Sequence, residues 1–118
     1  MNTYKAIREN GQPVVAVVNG TKSRTLTAEA SLEVINHAPY GFEWGYYGSG
    51  PAQLALAILL DHTCNSCVAS LHYKAFNRDF VGPASDAGFT ITSNQIKTWL
   101  ARRADIPPNI QANDRKGV

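Results

Sequence analysis

The chain is poor in three features that would quickly assign it to a functional class: cysteine, charge of one sign, and long apolar runs. It has 118 residues but only two cysteines, Cys64 and Cys67, too few for a disulfide framework. The chain has eleven Lys and Arg residues and nine Asp and Glu residues, which gives a net charge of +2. That balance does not by itself predict binding to nucleic acid or to a membrane.

The longest apolar run, from Leu54 to Leu60, is far shorter than the roughly 20 residues that span a bilayer. The N-terminal segment MNTYKAIREN lacks the hydrophobic core of a signal peptide. We therefore expect a cytoplasmic protein with reduced thiols, no cofactor and no membrane partner. The sequence leaves open whether it is a monomer or a homodimer.

Hydrophobic residues make up 44% of the chain and charged residues 17%, as in an ordinary globular protein. The length fits one hydrophobic core. We predict a single α+β domain over residues 1–108 and a polar, disordered tail over residues 109–118.

Residues 3–26 predict a three-stranded antiparallel meander. Asn10-Gly11 and Asn19-Gly20 are pairs that type I′ turns prefer, because both central positions need positive φ. A helix is expected to cover the middle strand, and the two outer strands read as solvent-exposed edges. The predicted strands are Thr3 to Glu9, Pro13 to Val18 and Thr21 to Leu26.

A central helix is predicted to begin after Ser49 and to end at Asp61-His62-Thr63. From Ala52 to Leu60 its only polar residue is Gln53. A helix that is apolar all round is buried all round. Ser49 is predicted to cap it, and Pro51 fits its first turn, where backbone amides lack partners anyway.

The segment from Thr27 to Ile35 allows either a short helix or an extended connection. The extended form is favoured because Asn36 and Pro39, which follow it, disfavour helix.

Two further helices are predicted, the first from Ser66 to Val81 with Leu71 on its inner stripe and Asn77 facing water. Phe89 to Ile91 adds a short extended piece. The second of these helices begins with a capping box formed by Thr92 and Gln95. Its inward-facing apolar residues are Ile96, Trp99 and Leu100. It should end at Ile106-Pro107-Pro108. The predicted fold is α+β, with three helices packed on one side of the sheet.

The central stretch, GFEWGYYGSGPAQLALAILLD from Gly41 to Asp61, resembles the signature of DUF6166, a bacterial and bacteriophage domain family of unknown function. Tyr47 stands where a glycine is frequent in the family, and HTCNSC replaces a region without paired cysteines. The resemblance covers roughly residues 3–100. Its matching parts are Asn36-His37, Gly41 to Tyr46, Gly48 to Leu60, Tyr73 to Phe76, and Ile91 to Leu100.

The resemblance implies a small protein encoded by a phage, prophage or plasmid-like element, without implying an activity. We expect a non-enzymatic protein that binds another macromolecule, most simply a protein. One specific form is an inhibitor of a host factor such as a bacterial defence complex, in the manner of an anti-CRISPR protein.

A binding surface is predicted around the glycine-rich motif, because exposed Tyr and Trp are typical of interface hot spots. Free amides at the start of the central helix offer a place for an anion. The alternative is architectural: Glu43 caps those amides, while Phe42 and Trp44 close the core. The predicted surface consists of Glu43, Trp44, Tyr46, Tyr47, Ser49 and Gln53.

The alternative function is an enzyme or small-ligand binder that uses Glu43, Ser49 and His37. In a catalytic triad, either Glu43 or Asp61 would be the third member beside Ser49 and His37. Gly48-Ser49-Gly50 resembles a nucleophile elbow only in part, because no hydrophobic strand precedes it. No metal is predicted. The Cys-x-x-Cys pair can be read as half of a zinc site or as small side chains packed at a corner between helices. The candidate ligands of such a zinc site are His62, Cys64, Cys67 and His72.

Nucleic-acid binding is a further alternative, since basic residues gather toward the C-terminus. Arg102-Arg103 also suits the end of a helix for purely structural reasons, and Asp105 and Asp114 dilute the charge. The candidate contacts are Lys97, Arg102 and Arg103, followed later by Arg115 and Lys116.

Overall fold

The structure is a computed structural model that describes residues 1–104. Within this range, the chain forms one antiparallel sheet and four α-helices, one of which continues into a π-helical turn. The elements are β1 (Thr3–Glu9), β2 (Gln12–Asn19), β3 (Lys22–Thr25), α1 (Glu29–Val34), α2 (Ser49–Thr63), α3 (Ser66–Phe76), the π turn (Asn77–Val81), β4 (Gly88–Thr92) and α4 (Ser93–Ala104). The predicted α+β class is confirmed. The predicted end of the last helix and the predicted tail lie outside the described residues.

The sheet has the strand order β3-β2-β1-β4. The predicted meander is present, but the prediction of three strands is wrong, because β4 pairs antiparallel with β1 and brings Ile91 opposite Tyr4. The interpretation of β1 as an edge strand is therefore also wrong. Hydrophobic alternation at Phe89 and Ile91 is the local trace of this fourth strand, but its partner lies at the other end of the chain.

The two hairpin turns differ in type. Asn10 and Gly11 both have positive φ, 54° and 79°, which confirms the predicted type I′ turn. In the second hairpin Asn19 pairs with Lys22, so the two-residue loop is Gly20-Thr21, one residue later than predicted. Only Gly20 has positive φ there, as in a type II′ turn.

Helix α2 lies at the centre of the molecule, as its apolar sequence predicted. Every residue from Gln53 to Leu59 is buried, and the inner face of the sheet packs around the same core through Tyr4, Val15, Val17 and Ile91. The prediction that Ser49 caps the helix is wrong: Gly48 is the capping residue, and no side chain bonds to the free amides. Ser49 is instead an exposed first-turn residue.

The segment before the motif forms helix α1, so the favoured extended form of residues 27–35 is wrong. Asn36 and Pro39 act only beyond Ile35, whose backbone is already extended at φ −145°. Buried Ser31 anchors the helix, because its hydroxyl donates to the Ala28 carbonyl at 2.8 Å and accepts from Gln53 Nε2 at 2.9 Å.

The side chain of Gln53 is fully buried and ties α2 to the segment that crosses it. Its Oε1 accepts from the amides of His37 and Ala38 at 2.8 and 3.1 Å. Its Nε2 donates to Ser31 Oγ and to the Ile35 carbonyl. Gln53 is therefore an architectural residue, and its prediction as part of a binding surface is wrong.

Helix α3 and the π turn together cover the predicted span from Ser66 to Val81, but the facing of some side chains was predicted wrongly. Leu71 is 69% exposed, and Tyr73 takes the buried position instead. Asn77 is buried, since the π turn that begins there changes which side chains face inward. The capping box of α4 is confirmed, with Thr92 N donating to Gln95 Oε1 at 2.9 Å and Gln95 N donating to Thr92 Oγ1 at 3.2 Å.

We expect Gln53→Leu to lower the free energy of unfolding by about 3 kcal/mol, because the buried amides and carbonyl that it serves lose their partners. Urea unfolding of the purified protein measures this. Ser49→Ala is the control on the same helix and should change stability by less than about 0.5 kcal/mol. A loss of about 1 kcal/mol in Ser49→Ala would mean that Ser49 caps the helix after all.

Candidate functional site

The motif loop between α1 and α2 carries both buried and exposed aromatic side chains. Trp44 is 1% exposed and Phe42 is also buried, whereas Tyr46 and Tyr47 are 50% and 63% exposed. The architectural interpretation of Phe42 and Trp44 is confirmed, and the prediction of Trp44 as a surface residue is wrong. Tyr40, just before the motif, is fully exposed. We call Tyr40, Tyr46 and Tyr47 the tyrosine surface.

Arg8 of strand β1 holds the motif loop in place. Its guanidinium pairs with Glu43 Oε1 at 2.9 Å and with Asp86 Oδ1 at 3.1 Å, and it lies 4.2 Å from the centroid of the Trp44 ring. The indole Nε1 of Trp44 donates to the Asp86 carbonyl at 3.1 Å. Glu43 therefore does not cap the amides of α2, as the architectural alternative expected, because its carboxylate is paired with Arg8.

Glycines let the two exposed tyrosine rings pack directly against the backbone. The Cβ of an alanine at Gly82 would lie 2.2 Å from Tyr47 Cε1, and one at Gly48 would lie 2.7 Å from Tyr46 Cε2. The Tyr47 hydroxyl also donates to the carbonyl of Arg78 in the π turn at 3.2 Å. Both rings are thus positioned by contacts while half or more of their surface stays exposed.

The residues of the proposed triad do not contact one another. His37 Nε2 and the Tyr73 hydroxyl are hydrogen-bonded at 2.7 Å, and Glu43 is paired with Arg8. Between residues 1 and 104, no hydrogen bond joins any two of His37, Glu43 and Ser49. A nucleophile needs its base within hydrogen-bond reach, so this arrangement gives little support to the enzyme hypothesis.

Asp61, the other acid considered for catalysis, fastens the end of α2 to the sheet. Its carboxylate pairs with Arg24 at 2.9 Å and accepts from the Tyr4 hydroxyl at 2.7 Å. Burial, followed by the Asp61 carboxylate, raises the pKa of Tyr4 far above its usual value. Tyr4 therefore stays protonated and donates to Asp61.

The cysteine and histidine side chains are divided between two places. Cys64 ends α2 in the left-handed conformation at φ 53°, and Cys67 lies in the first turn of α3, both exposed. His72 faces α4 instead, where its Nδ1 accepts from Arg103 Nε at 3.0 Å. Burial lowers the pKa of His62. No three His, Cys, Asp or Glu side chains within residues 1–104 are grouped as metal ligands.

The basic residues of α4 also fall into two groups. Lys97 and Arg102 are exposed, whereas Arg103 bonds to His72 and its guanidinium lies 5.1 Å from the centroid of Trp99. Of the three predicted nucleic-acid contacts, Arg103 is thus engaged within the protein, while Lys97 and Arg102 are exposed. Arg115 and Lys116 lie outside the described residues.

A family model matches residues 4–102, described as Family of unknown function (DUF6166). The chain belongs to DUF6166. The match spans the sheet, the motif loop and nearly all of α4 in this DUF6166 protein, and so includes the tyrosine surface and the exposed basic residues Lys97 and Arg102. Comparisons with curated proteins and with solved structures gave no significant match. In the part of the chain that the structure describes, no helix has the length and apolar character to cross a membrane.

Sequence reasoning missed Arg8 and Asp86 as partners of the motif. Arg8 is an ordinary strand residue in the sequence, and Asp86 lies in what reads as a plain loop. Nothing local marks either of them, because the contacts join segments that are distant along the chain.

We expect Arg8→Ala to lower the free energy of unfolding by about 1.5 kcal/mol, because the ion pairs and the cation–π contact with Trp44 are lost together. Denaturant unfolding measures the change. Arg78→Ala is the matched control: the Arg78 side chain is exposed, and its pair with Asp79 should therefore contribute much less to stability than the contacts of Arg8. Equal losses in the two variants would mean that Arg8 does not anchor the motif loop.

The free energy of unfolding should fall as the pH is lowered from about 6.5. Burial, followed by the charge of Arg103, lowers the pKa of His72 from the usual value of 6.5. The unfolded chain therefore binds a proton at a pH where folded His72 does not, and acid favours unfolding. Burial of His62 acts in the same direction.

His72→Gln should make this pH dependence less steep, as measured by urea unfolding between about pH 7.5 and pH 5. The pKa of Asp79 is lowered by its hydrogen bond with Arg78, so the stability that it contributes is lost only below its usual 3.8, outside this window. An unchanged slope in His72→Gln would contradict the assignment.

Proposed function

We propose that this protein works by binding a protein partner through the tyrosine surface, without catalysing a reaction. The observation that carries the proposal is the exposure of Tyr40, Tyr46 and Tyr47 on a loop that is otherwise fixed to the core. Large exposed aromatic groups cost solubility, so a protein that keeps three of them within eight positions has a use for the surface.

The support is energetic as well as geometric. Tyrosine buries a large area on binding and has few rotatable bonds to immobilise. Here the rings of Tyr46 and Tyr47 already rest against Gly48 and Gly82, so binding would immobilise them at little further entropic cost.

The polar surroundings of the tyrosine surface suit an interface rim. Asp86 is almost fully exposed, and the Glu43 side chain is one-third exposed beside Arg8. A rim of charged side chains around an aromatic centre is the usual anatomy of a protein interface. Ser49, exposed at the start of α2, lies in the segment that continues from this loop.

The partner that we favour is a bacterial host factor, such as a defence complex that the chain would inhibit. This part of the proposal rests on the resemblance of the motif to bacteriophage proteins and on the small size of the chain. The enzyme hypothesis is less well supported, because His37 and Glu43 are each engaged with another residue.

The test is an affinity capture from bacterial lysate with wild type and the variant Tyr46→Ala/Tyr47→Ala. Leu71→Ala is the matched control, because Leu71 is an equally exposed apolar side chain on α3. We expect wild type and Leu71→Ala to retain the same partner and the tyrosine variant to lose it. Circular dichroism would establish that all three are folded.

With the partner purified, calorimetry should give at least a ten-fold weaker Kd for the tyrosine variant, the scale of a hot-spot loss. A partner that all three proteins retain would place the interface elsewhere on the molecule. Absence of any partner specific to wild type would contradict the proposal.

A further inference from the structure

A cavity of about 380 Å³ lies beside α4 and the π turn. Its lining combines two aromatic rings, three neutral polar side chains and one cation. The lining residues are Phe80, Asn94, Gln95, Thr98, Trp99 and Arg102. Its size suits a planar nucleobase together with the attached sugar.

The aromatic corner of this cavity is rigid. Trp99 and Phe80 meet edge to face, with ring centroids 5.9 Å apart and an interplanar angle of 72°, and Phe76 supports Trp99 from a centroid distance of 5.3 Å. Asp79 Oδ2 accepts from the Trp99 indole at 2.8 Å, which fixes the ring. The π turn supplies both Asp79 and Phe80, so this one turn builds half of the corner.

The polar side of the cavity comes from one face of α4. Gln95, Thr98, Trp99 and Arg102 follow the i, i+3, i+4, i+7 spacing that places side chains on the same face. Gln95 Oε1 serves the capping box, while its amide nitrogen has no hydrogen bond to another residue in the range 1–104. Amide and hydroxyl groups therefore stand beside the aromatic rings, where the edge of a base offers acceptors and donors.

Arg102 is the one charged residue in the lining of the cavity, and it lies in the more basic part of the described chain. Between residues 66 and 104 there are five Lys or Arg residues against two Asp residues, whereas residues 1–65 carry four against five acids. No carboxylate within residues 1–104 pairs with Lys97 or Arg102. Asp79, the acid of the π turn next to Phe80, is already engaged with Arg78 and Trp99. The charge therefore favours an anionic ligand.

We infer that this cavity binds a nucleotide unit of single-stranded nucleic acid, with the base in the Phe80–Trp99 corner and the phosphate facing Arg102. Stacking on an aromatic ring and contact of phosphate with cations is how single strands are bound without sequence preference. A duplex hides the faces of its bases and does not fit this corner. This site is separate from the tyrosine surface and does not depend on the protein partner.

The experiment is a titration of a short fluorescein-labelled oligothymidylate with the full-length protein, followed by fluorescence anisotropy at about 50 and about 200 mM salt. We expect binding that weakens as salt rises, and a clear preference over the duplex of the same length. Competition with unlabelled thymidine monophosphate distinguishes the sources of the ligand: displacement only at far higher concentration assigns the site to strands, whereas equal potency would overturn that assignment.

Two variants test the cavity itself. Arg102→Glu should weaken binding roughly ten-fold and make the salt dependence less steep, and Phe80→Leu should weaken it roughly five-fold, because the stacking face is lost while apolar packing is kept. Lys5→Glu is the matched control, since it makes the same charge change on the exposed face of the sheet. It should bind within about two-fold of wild type.

Failure of wild type to bind the oligonucleotide, equal binding of the duplex, or an equal loss in Lys5→Glu and Arg102→Glu would overturn the inference. Tyr46→Ala, which leaves the contact of Tyr47 with the π turn in place, should bind the oligonucleotide like wild type, so this result and the partner capture are independent of each other. A loss of oligonucleotide binding in that variant would contradict the separation of the two sites.

Discussion

Burial of α2 on every side is the constraint on which the rest of the structure depends. A helix with no solvent-facing stripe needs cover from all directions, and the chain provides it with the sheet, α1, α3 and the motif loop. The one polar side chain in its buried part, Gln53, is accommodated because α1 provides the Ser31 hydroxyl and the segment after α1 provides backbone partners. The position of the motif loop follows from this, since Phe42 and Trp44 are part of the cover.

The features that the sequence predicted correctly are those written in neighbouring residues. The Asn10-Gly11 turn, the apolar run of α2 and the Thr92–Gln95 capping box each involve residues within a few positions of one another. The features that it did not predict depend on distant contacts: β4 as a partner of β1, helix α1 held by Gln53, and the pairing of Arg8 with Glu43. Short-range patterns carry no information about such partners, and this is why Trp44 was placed on the surface.

The candidate sites show the same division between local patterns, which the sequence reveals, and distant contacts, which it does not. Tyr46 and Tyr47 were identified from composition, since glycine and tyrosine together favour an exposed loop, and the structure places both on the surface. The cavity beside α4 was not visible as a site, because Phe80 and Trp99 are nineteen positions apart and meet only through the π turn. The same turn accepts the Tyr47 hydroxyl at Arg78, so one short irregular segment supports both candidate surfaces.

The pairing of β4 with β1 has a consequence for the order in which the protein folds. The hairpins at the N-terminus can form as soon as they leave the ribosome, but β1 keeps an open edge until the segment near Ile91 has been synthesised. Closing the sheet joins opposite ends of the domain, and contacts of such long sequence separation form slowly. The nascent chain therefore carries a strand with one open edge, together with the apolar run of α2, for most of its synthesis, the period in which aggregation competes most strongly with folding.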